Sequence, residues 1–225
     1  MTDRQSAPSS PDAEARFAAR RQRMVEYQLI RRGVTDSRVV AAMGEVPRHE
    51  FVPPAQTQDA YEDEALPIGH GQTISQPYMV GYMLQQLQVE PEHRVLEVGA
   101  GSGYQASLLG RLARDVYAIE ISPPLAERAR EVVNRLGYDN VHIITGDGGL
   151  GYAPAAPFDR IIVAAACPTI PQPLIDQLVE GGRLVAPVGS RNSQSCIVGV
   201  KRGGSLKVSD VLGCVFVPLR GEHGW

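Results

Sequence analysis

The chain has 225 residues, 43% of them hydrophobic, which is enough to bury one sizeable core close to the usual upper size of a single domain. Its 22 basic and 25 acidic residues give a formal charge of −3, and this balance argues against nucleic acids and anionic membranes as partners. No apolar run has the length of a membrane span and the first residues lack the apolar core of a secretory signal, so we expect a cytoplasmic protein.

The first part of the chain is predicted to form a helical cap behind a short leader. Residues 1–12 are rich in Ser, Pro and charged side chains, which offer too little apolar surface to offset the entropy of ordering, so we expect a disordered leader. Over residues 13–32 apolar side chains recur at helical spacing, and Gly33 suits a helix stop. A second helix is predicted over residues 37–43.

Ser75 and Pro77 lie where a third helix is predicted to begin. A turn-rich stretch, residues 61–72, precedes them, and apolar residues follow at helical spacing: Met79, Tyr82, Met83 and Leu87. A serine directly before a helix is a common N-cap, and the same position presents backbone donors to an anion. The spacing alone leaves both roles open for Ser75.

The rest of the chain alternates short, β-branched apolar runs with helical stretches, which is the pattern of a parallel sheet covered by helices. The runs are 95–98, 116–119, 141–144, 160–163 and 183–186, and the helices are 105–112 and 125–136. Two further strands, 197–200 and 211–218, have no helix between them and favour an antiparallel edge. The sequence therefore predicts one doubly wound α/β domain over residues 13–225, with a cap and active-site segment at 13–90 and a cofactor-binding core at 91–225.

A glycine-rich turn follows the first strand of this core. It reads Glu97-Val98-Gly99-Ala100-Gly101-Ser102-Gly103 and leads directly into a helix, so the chain turns sharply and a ligand has access to backbone N–H groups. Such a turn is compatible with a dinucleotide, with S-adenosylmethionine, or with a tight turn that binds nothing. The pattern by itself does not choose among them.

Three acids at successive strand ends favour S-adenosylmethionine. Glu97, Glu120 and Asp147 each follow an apolar run, and the carboxyl ends of adjacent parallel strands face one crevice. A dinucleotide pyrophosphate would be repelled there, whereas a sulfonium ligand with hydroxyl and amine donors would be attracted. Glu120 lies about 20 residues past the turn, where an acid is expected to bind ribose hydroxyls. We expect Asp147 to accept from the adenine amine and Glu97 to compensate the cofactor's charge.

Two longer motifs stand out: Pro67-Ile68-Gly69-His70-Gly71-Gln72-Thr73-Ile74-Ser75-Gln76-Pro77 and Leu96-Glu97-Val98-Gly99-Ala100-Gly101-Ser102-Gly103-Tyr104-Gln105. Shorter ones are Gly146-Asp147-Gly148, Ala156-Pro157-Phe158-Asp159, Pro187-Val188-Gly189 and Phe216-Val217-Pro218-Leu219. Together they resemble the protein-L-isoaspartate O-methyltransferase family over about residues 23–219. The Gly-Gln-Thr-Ile-Ser-Gln-Pro part is the specific one, because other methyltransferases share the glycine turn without it.

The resemblance implies a Rossmann-like repair enzyme that transfers methyl from S-adenosylmethionine to the α-carboxylate of L-isoaspartyl residues, after which the ester closes to a succinimide. Isoaspartyl-containing proteins and peptides are the implied partners, and we expect a monomer. By the same resemblance, Ser75 is the active-site serine and binds substrate together with Thr73 and Ile74. The implied cofactor site is Glu97, Gly99, Gly101, Ser102, Gly103, Glu120, Ile121, Asp147 and Gly148.

The chemistry of a carboxylate limits what the serine has to do. A carboxylate is already nucleophilic at neutral pH, so its methylation needs placement and not a base. No Gly-x-Ser-x-Gly elbow surrounds Ser75, so we expect its hydroxyl to orient the carboxylate and not to attack. Two alternatives stay open: a methyltransferase for another small molecule or peptide, and a cofactor-binding protein without turnover.

Metal and disulfide chemistry are not expected. The five histidines show no ligand spacing. The three cysteines, Cys167, Cys196 and Cys214, are odd in number and widely spaced, which suits small buried side chains in a reducing compartment.

Overall fold

The computed structural model describes residues 11–225, so the predicted leader at 1–12 lies outside the described residues except for its last two positions. Those two positions open the first helix. The helices are α1 (Pro11–Met24), α2 (Ser37–Glu45), α3 (Pro77–Leu87), α4 (Tyr104–Leu112), α5 (Pro123–Arg135) and α6 (Gln172–Asp176). Within residues 11–225, no helix combines the length and the apolar character that crossing a membrane requires.

The strands form a hairpin and a seven-stranded sheet. The hairpin is β1 (Leu66–Gly69) with β2 (Gln72–Ile74), and the sheet contains β3 (Arg94–Val98), β4 (Asp115–Glu120), β5 (Val141–Thr145), β6 (Phe158–Val163), β7 (Leu178–Ser190), β8 (Ser193–Arg202) and β9 (Ser205–Cys214). The sheet order is β5-β4-β3-β6-β7-β8-β9, parallel from β5 to β7 and antiparallel for the last two strands. The predicted doubly wound, mostly parallel α/β fold with an antiparallel edge is confirmed.

The N-terminal cap continues from α1 through a π-helical turn, Val25–Leu29, and a 3-10 turn, Ile30–Arg32. The run stops at Gly33, as predicted, because its φ of 89° lies in the left-handed region that glycine adopts without strain. Helix α2 follows, with the Asp36 carboxylate accepting backbone N–H groups at its N-terminus. The cap buries its apolar side chains in the same cluster as α3 and α4.

Two details of the structure differ from the sequence prediction. The stretch 61–72 was predicted to be turn-rich, and besides its turns it holds most of the β1–β2 hairpin, whose tip is formed by three consecutive left-handed residues, Gly69, His70 and Gly71. The last strand was expected over 211–218, but β9 ends at Cys214. The residues after Cys214 leave the edge of the sheet and return towards its centre, where Pro218 forms a bridge with Ala166.

Both faces of the sheet are covered, and successive strand residues point to opposite faces, so both sets of side chains are buried. Val95 belongs to the cluster under the helices α3 to α5, whereas Leu96 belongs to the cluster under α6 and the C-terminal segment. From β3 the chain winds through β4 to β5, and then crosses to β6 on the other side of β3. This reversal opens a crevice at the carboxyl end of β3, where doubly wound folds bind their ligands.

Candidate active site

The glycine turn lies at this crevice and is held by its neighbouring strand. Gly99 and Gly101 are left-handed, with φ of 90° and 53°. The backbone N–H groups of Gly99 and Ala100 donate to the Ile119 carbonyl at 2.8 and 3.0 Å. Gly103 has another role, because a Cβ there would lie 3.2 Å from both Ala129 and Val133 of α5. It permits close packing of the turn against α5 and does not line the crevice.

Glu97 is a fully buried acid at the end of β3, with 0% of its surface exposed. Its Oε1 accepts from Gln105 Nε2 at 3.0 Å, and its Oε2 has no hydrogen-bond partner among the described residues. Burial, and then the nearby Glu120 carboxylate, raises the pKa of Glu97 well above its ordinary value, while the hydrogen bond from Gln105 opposes the shift. A buried carboxylate with a free oxygen is suited to receive a cationic or N–H-bearing ligand.

Glu120 ends the adjacent strand in a different state. Its Oε2 accepts the backbone N–H of Gly101 at 2.8 Å, and its Oε1 accepts that of Ser122 at 2.9 Å. The carboxylate therefore braces the glycine turn against the start of α5. Each carboxylate oxygen retains a lone pair, so the group remains able to accept ligand hydroxyls.

Asp147 follows β5, the strand next to the one that ends in Glu120, and both of its carboxylate oxygens accept backbone N–H groups. Its Oδ1 accepts the backbone N–H of Gly149 at 2.9 Å, and its Oδ2 accepts that of Glu222, close to the C-terminus, at 2.8 Å. The Asp147 carboxylate therefore joins the turn after β5 to the C-terminal segment. Gly148 takes the place at the crevice, where a Cβ would lie 2.6 Å from Val98 Cγ1.

Three adjoining pockets occupy the crevice. The inner pocket is lined by Thr73, Ile74, Ser75, Val80, Glu97, Gly99, Ala100, Gly101, Ser102, Tyr104, Gln105 and Ala164. The rear pocket is lined by Gln72, Val98, Gly99, Ile119, Glu120, Ile121, Gly148, Ala165, Pro218, Leu219 and Arg220. The outer pocket, about 240 Å³, is lined by Ala65, Thr73, Ser75, Gln76, Met79, Val215, Phe216 and Val217. The inner and rear pockets share Gly99, and the inner and outer pockets share Thr73 and Ser75.

Ser75 therefore lies in the wall between the glycine turn and the outer pocket. It is not the N-cap of α3, because that position is Gln76, which makes no side-chain capping bond. Thr73 shares the wall, whereas Ile74 faces the inner pocket only. The capping interpretation of Ser75 is wrong, and the residue lines both pockets.

Sequence reasoning missed several lining residues. Tyr104 and Gln105 follow the glycine turn and were quoted in the family motif, but neither was assigned to the site. Arg220 and Val215 lie near the C-terminus, and no local sequence pattern there indicates that the chain returns to the crevice. Tyr104 and Gln105 had a weak signal, since residues directly after a glycine turn often face its ligand.

The crevice fits S-adenosylmethionine on two observations. The free Oε2 of Glu97 is an unpartnered, buried carboxyl oxygen beside the glycine turn, and the ligand would bring positive charge to it. Gly148 lets the backbone after β5 line the rear pocket, because a Cβ there would lie only 2.6 Å from Val98 Cγ1. Among the side chains that the structure describes, no group of three or more His, Cys, Asp or Glu is arranged to hold a metal ion.

Comparison with known proteins gives one consistent result. The family model of protein-L-isoaspartate(D-aspartate) O-methyltransferase matches residues 19–224. A protein-L-isoaspartate O-methyltransferase from Methanoculleus marisnigri is 53% identical over 205 residues, covering 91% of this chain and 93% of its own. One from Desulfosudis oleivorans is 51% identical and covers 94% and 96% of the two chains.

Solved structures agree in fold. A structure of a protein-L-isoaspartate O-methyltransferase superposes with a TM-score of 0.82 at 30% identity, covering 91% of this chain and 67% of that one. A Plasmodium falciparum structure, described as the same kind of enzyme in complex with S-adenosyl-L-homocysteine, gives a TM-score of 0.79 at 27% identity, covering 89% and 98%. The likeness thus extends over the cap as well as the sheet.

Proposed function

The chain belongs to the protein-L-isoaspartate O-methyltransferase family, and we propose that Ser75 is the residue at which its cofactor and its substrate meet. The enzyme transfers methyl from S-adenosylmethionine to the α-carboxylate of L-isoaspartyl residues in damaged proteins, which initiates their repair. The observation that supports Ser75 is its position in the wall shared by the inner and outer pockets.

The cofactor supplies an electrophilic methyl on a sulfonium centre. We assign the rear and inner pockets to it, with Glu120, Ile121 and Gly148 on one side and Glu97 on the other. Gly99, Gly101 and Ser102 line the same space, while Gly103 and Asp147 support it by packing and by holding the C-terminal segment. In this assignment Asp147 shapes the adenine side, and a direct bond from its carboxylate to the adenine amine stays a prediction.

The role of Ser75 follows from the groups around it. The titratable side chains lining the inner pocket, within the part of the chain that is described, are Glu97 and Tyr104, and burial raises the pKa of both. A substrate carboxylate is already ionised at neutral pH, so its methylation requires neither group as a base. The Ser75 hydroxyl donates to that carboxylate and orients one oxygen towards the methyl group, while Thr73 and Ile74 shape the adjoining wall.

The outer pocket is the proposed binding place of the isoaspartyl segment. Met79, Val215, Phe216 and Val217 make it mostly apolar, and it opens beside Ser75. An isoaspartyl link extends the main chain by one methylene, so the α-carboxylate stands on a short side arm that can enter between Thr73 and Ser75. After methylation, we expect the ester to leave and close to a succinimide without the enzyme.

A paired peptide assay tests the reaction. The protein is incubated with S-adenosylmethionine and either an isoaspartyl peptide or the same peptide with normal aspartate. Methyl esterification of the first peptide alone is expected. Equal methylation of both, or cofactor binding without turnover on either, would overturn the assignment and favour a broader methyltransferase or a cofactor-binding protein.

Substitution of Ser75 tests its role. Ser75→Ala is expected to lower kcat on the isoaspartyl peptide by about 10²-fold, the order of loss that follows misplacement of a reacting group. The Kd of S-adenosyl-L-homocysteine is expected to stay within about threefold, a difference of under 1 kcal/mol. Ser190→Ala is the control, because that hydroxyl makes only a local bond in the β7–β8 turn. Unchanged kcat in Ser75→Ala would remove Ser75 from the mechanism.

We further propose that residues 13–225 form one domain that acts as a monomer in the cytoplasm, without nucleic acid or membrane partners. The exposed large apolar side chains among the described residues are few, and most are far apart in sequence: Tyr27, Ile30, Ile121, Leu150, Val208, Val215 and Trp225. Cys167, Cys196 and Cys214 are free thiols, which suits a reducing compartment. Sedimentation of the purified protein at assay concentration tests the monomer, and a concentration-independent dimer would contradict it.

A further inference from the structure

Arg48 is a charged side chain buried beneath the proposed active site, with 0% of its surface exposed. It begins the 3-10 turn Arg48–Phe51, in the segment between α2 and the hairpin. Its Nε donates to the Ala60 carbonyl at 2.6 Å, and its Nη2 donates to the Ser75 carbonyl at 2.8 Å. Its Cζ lies 4.9 Å from the centre of the Tyr104 ring. One guanidinium thus connects three segments that are distant in sequence.

Stability does not explain a charge at this depth. Taking a guanidinium out of water is costly, and apolar side chains of similar volume often stabilise a core as well or better. Burial lowers the pKa of Arg48, but an arginine starts so high that it stays protonated at neutral pH. Its Nη1 and the Tyr104 hydroxyl have no hydrogen-bond partner among the described residues, which adds to the cost. The arrangement indicates a geometric role.

Both contacts fall on the machinery of methyl transfer. The hydrogen bonds of α3 begin at the Gln76 carbonyl, which accepts the N–H of Val80. The Ser75 carbonyl lies one residue earlier, outside the hydrogen bonds of the helix. Arg48 is therefore the donor that holds the Ser75 peptide plane. Tyr104 follows the glycine turn directly and lines the inner pocket with Ser75. A planar guanidinium can donate to the Ser75 carbonyl in its plane and contact the Tyr104 ring with its face at the same time. A lysine ammonium cannot do both.

We propose that Arg48 is a positioning residue that sets the Ser75 hydroxyl against the glycine turn by joining the Ser75 carbonyl to the Tyr104 ring. The inference rests on the proposed role of Ser75, because Arg48 acts only through the placement of that hydroxyl. It does not touch substrate or cofactor. Its loss should affect the orientation of the carboxylate more than the affinity for the cofactor.

Arg48→Lys tests this, with Arg160→Lys as the matched control. Arg160 is a half-buried arginine that also donates to two backbone carbonyls, Gln88 at 2.9 Å and Asp159 at 2.8 Å, but far from the carboxyl ends of the strands. The kcat is calculated for the fraction of protein that binds S-adenosyl-L-homocysteine. For Arg48→Lys this kcat should fall about ten- to a hundredfold, since a 1 Å misplacement of a reacting group lowers the rate by up to about 10²-fold. The Kd of S-adenosyl-L-homocysteine should change less than about threefold, and Arg160→Lys should leave kcat unchanged.

A double variant separates positioning from general damage. In the Ser75→Ala background, adding Arg48→Lys should lower kcat by less than about threefold, because the hydroxyl that Arg48 positions is absent. Losses that multiply would show that Arg48 acts independently of Ser75 and would overturn the proposal, as would wild-type kcat in folded Arg48→Lys. If Arg48→Lys yields too little folded protein, Arg48→Met, which fills the volume without the charge, is expected to show the same split between kcat and Kd.

The two proposals fail in different ways. If Ser75→Ala retains full turnover, the role of Ser75 is wrong and Arg48 has nothing to position. If Ser75→Ala loses turnover while folded Arg48→Lys or Arg48→Met keeps it, only the inference about Arg48 is wrong.

Discussion

The inner and rear pockets each contain one buried glutamate at a strand end, but the two carboxylates are used differently. In the inner pocket, Glu97 has one hydrogen bond from Gln105 and one free oxygen. In the rear pocket, both oxygens of Glu120 accept backbone N–H groups, from Gly101 and Ser122. The Glu97 carboxyl is therefore available to a ligand, whereas the Glu120 carboxylate already holds the glycine turn and the start of α5. Acids in equivalent sequence positions acquire separate tasks from the backbone that follows each strand.

Glu120→Gln is expected to have the largest effect. The amide replaces one acceptor oxygen with a donor, which then faces the N–H of Gly101 or Ser122, so we expect a loss of about 1–3 kcal/mol in the free energy of unfolding. Urea titration measures it. Glu127→Gln on α5 is the control, because its exposed pair with Arg130 should contribute less than about 1 kcal/mol. An equally small loss for both would contradict the bracing role of Glu120.

Glu97→Gln should show the opposite pattern. Replacing a buried, ionisable carboxyl that has a free oxygen should leave the free energy of unfolding unchanged or raise it. The Kd of S-adenosylmethionine should rise about tenfold, or 1.4 kcal/mol, because the ligand's positive charge loses its counterion. Calorimetric titration measures the Kd. If this variant loses stability as Glu120→Gln does, the distinction between the two pockets is wrong.

The pH dependence of binding sharpens the same comparison. Because the pKa of Glu97 is raised in the folded protein, the stability that this group contributes is complete below its unfolded pKa and is lost as pH rises through the folded pKa. A cationic ligand favours the ionised form, so binding should release protons and strengthen with pH by up to about 1.36 kcal/mol per unit. Titrations in buffers of different ionisation enthalpy count the protons. Glu97→Gln should abolish the release, and its persistence in that variant would assign the proton elsewhere.

Gly221→Ala is expected to have the smallest effect. Its φ is +112°, and a Cβ there would overlap both oxygens of Asp147. The substitution should break the bond from Glu222 to Asp147 and loosen the C-terminal segment that lines the rear pocket, weakening cofactor binding by about 1 kcal/mol, the net value of one hydrogen bond. Gly203→Ala is the control, because it is also left-handed, with φ +59°, and has no atom within 4 Å. Equal effects of both on Kd would leave backbone strain as the explanation.

Much of the sheet was predictable because its signals are local. The β-branched runs of β3 to β7, the glycine turn after β3, and Gly33 as a helix stop all depend on residues a few positions apart. The β1–β2 hairpin was missed because its strands are only four and three residues long and are surrounded by turn-forming residues. Its existence depends on pairing, which a periodicity of so few residues cannot indicate.

The candidate site divides along the same line. Local pattern and family resemblance together determined the cofactor crevice and drew attention to Ser75, since glycine spacing, strand ends and a contiguous motif are all written within short windows of the chain. Only the tertiary structure decided that Gln76 occupies the N-cap, that Asp147 binds the N–H of Glu222, and that Arg48 lies buried under Ser75. These contacts join residues up to 75 positions apart. An arginine in a loop sequence is expected to be solvated, and only the tertiary structure shows that Arg48 is buried. Hydrogen bonds of this kind depend on distance in space, which the order of residues does not specify.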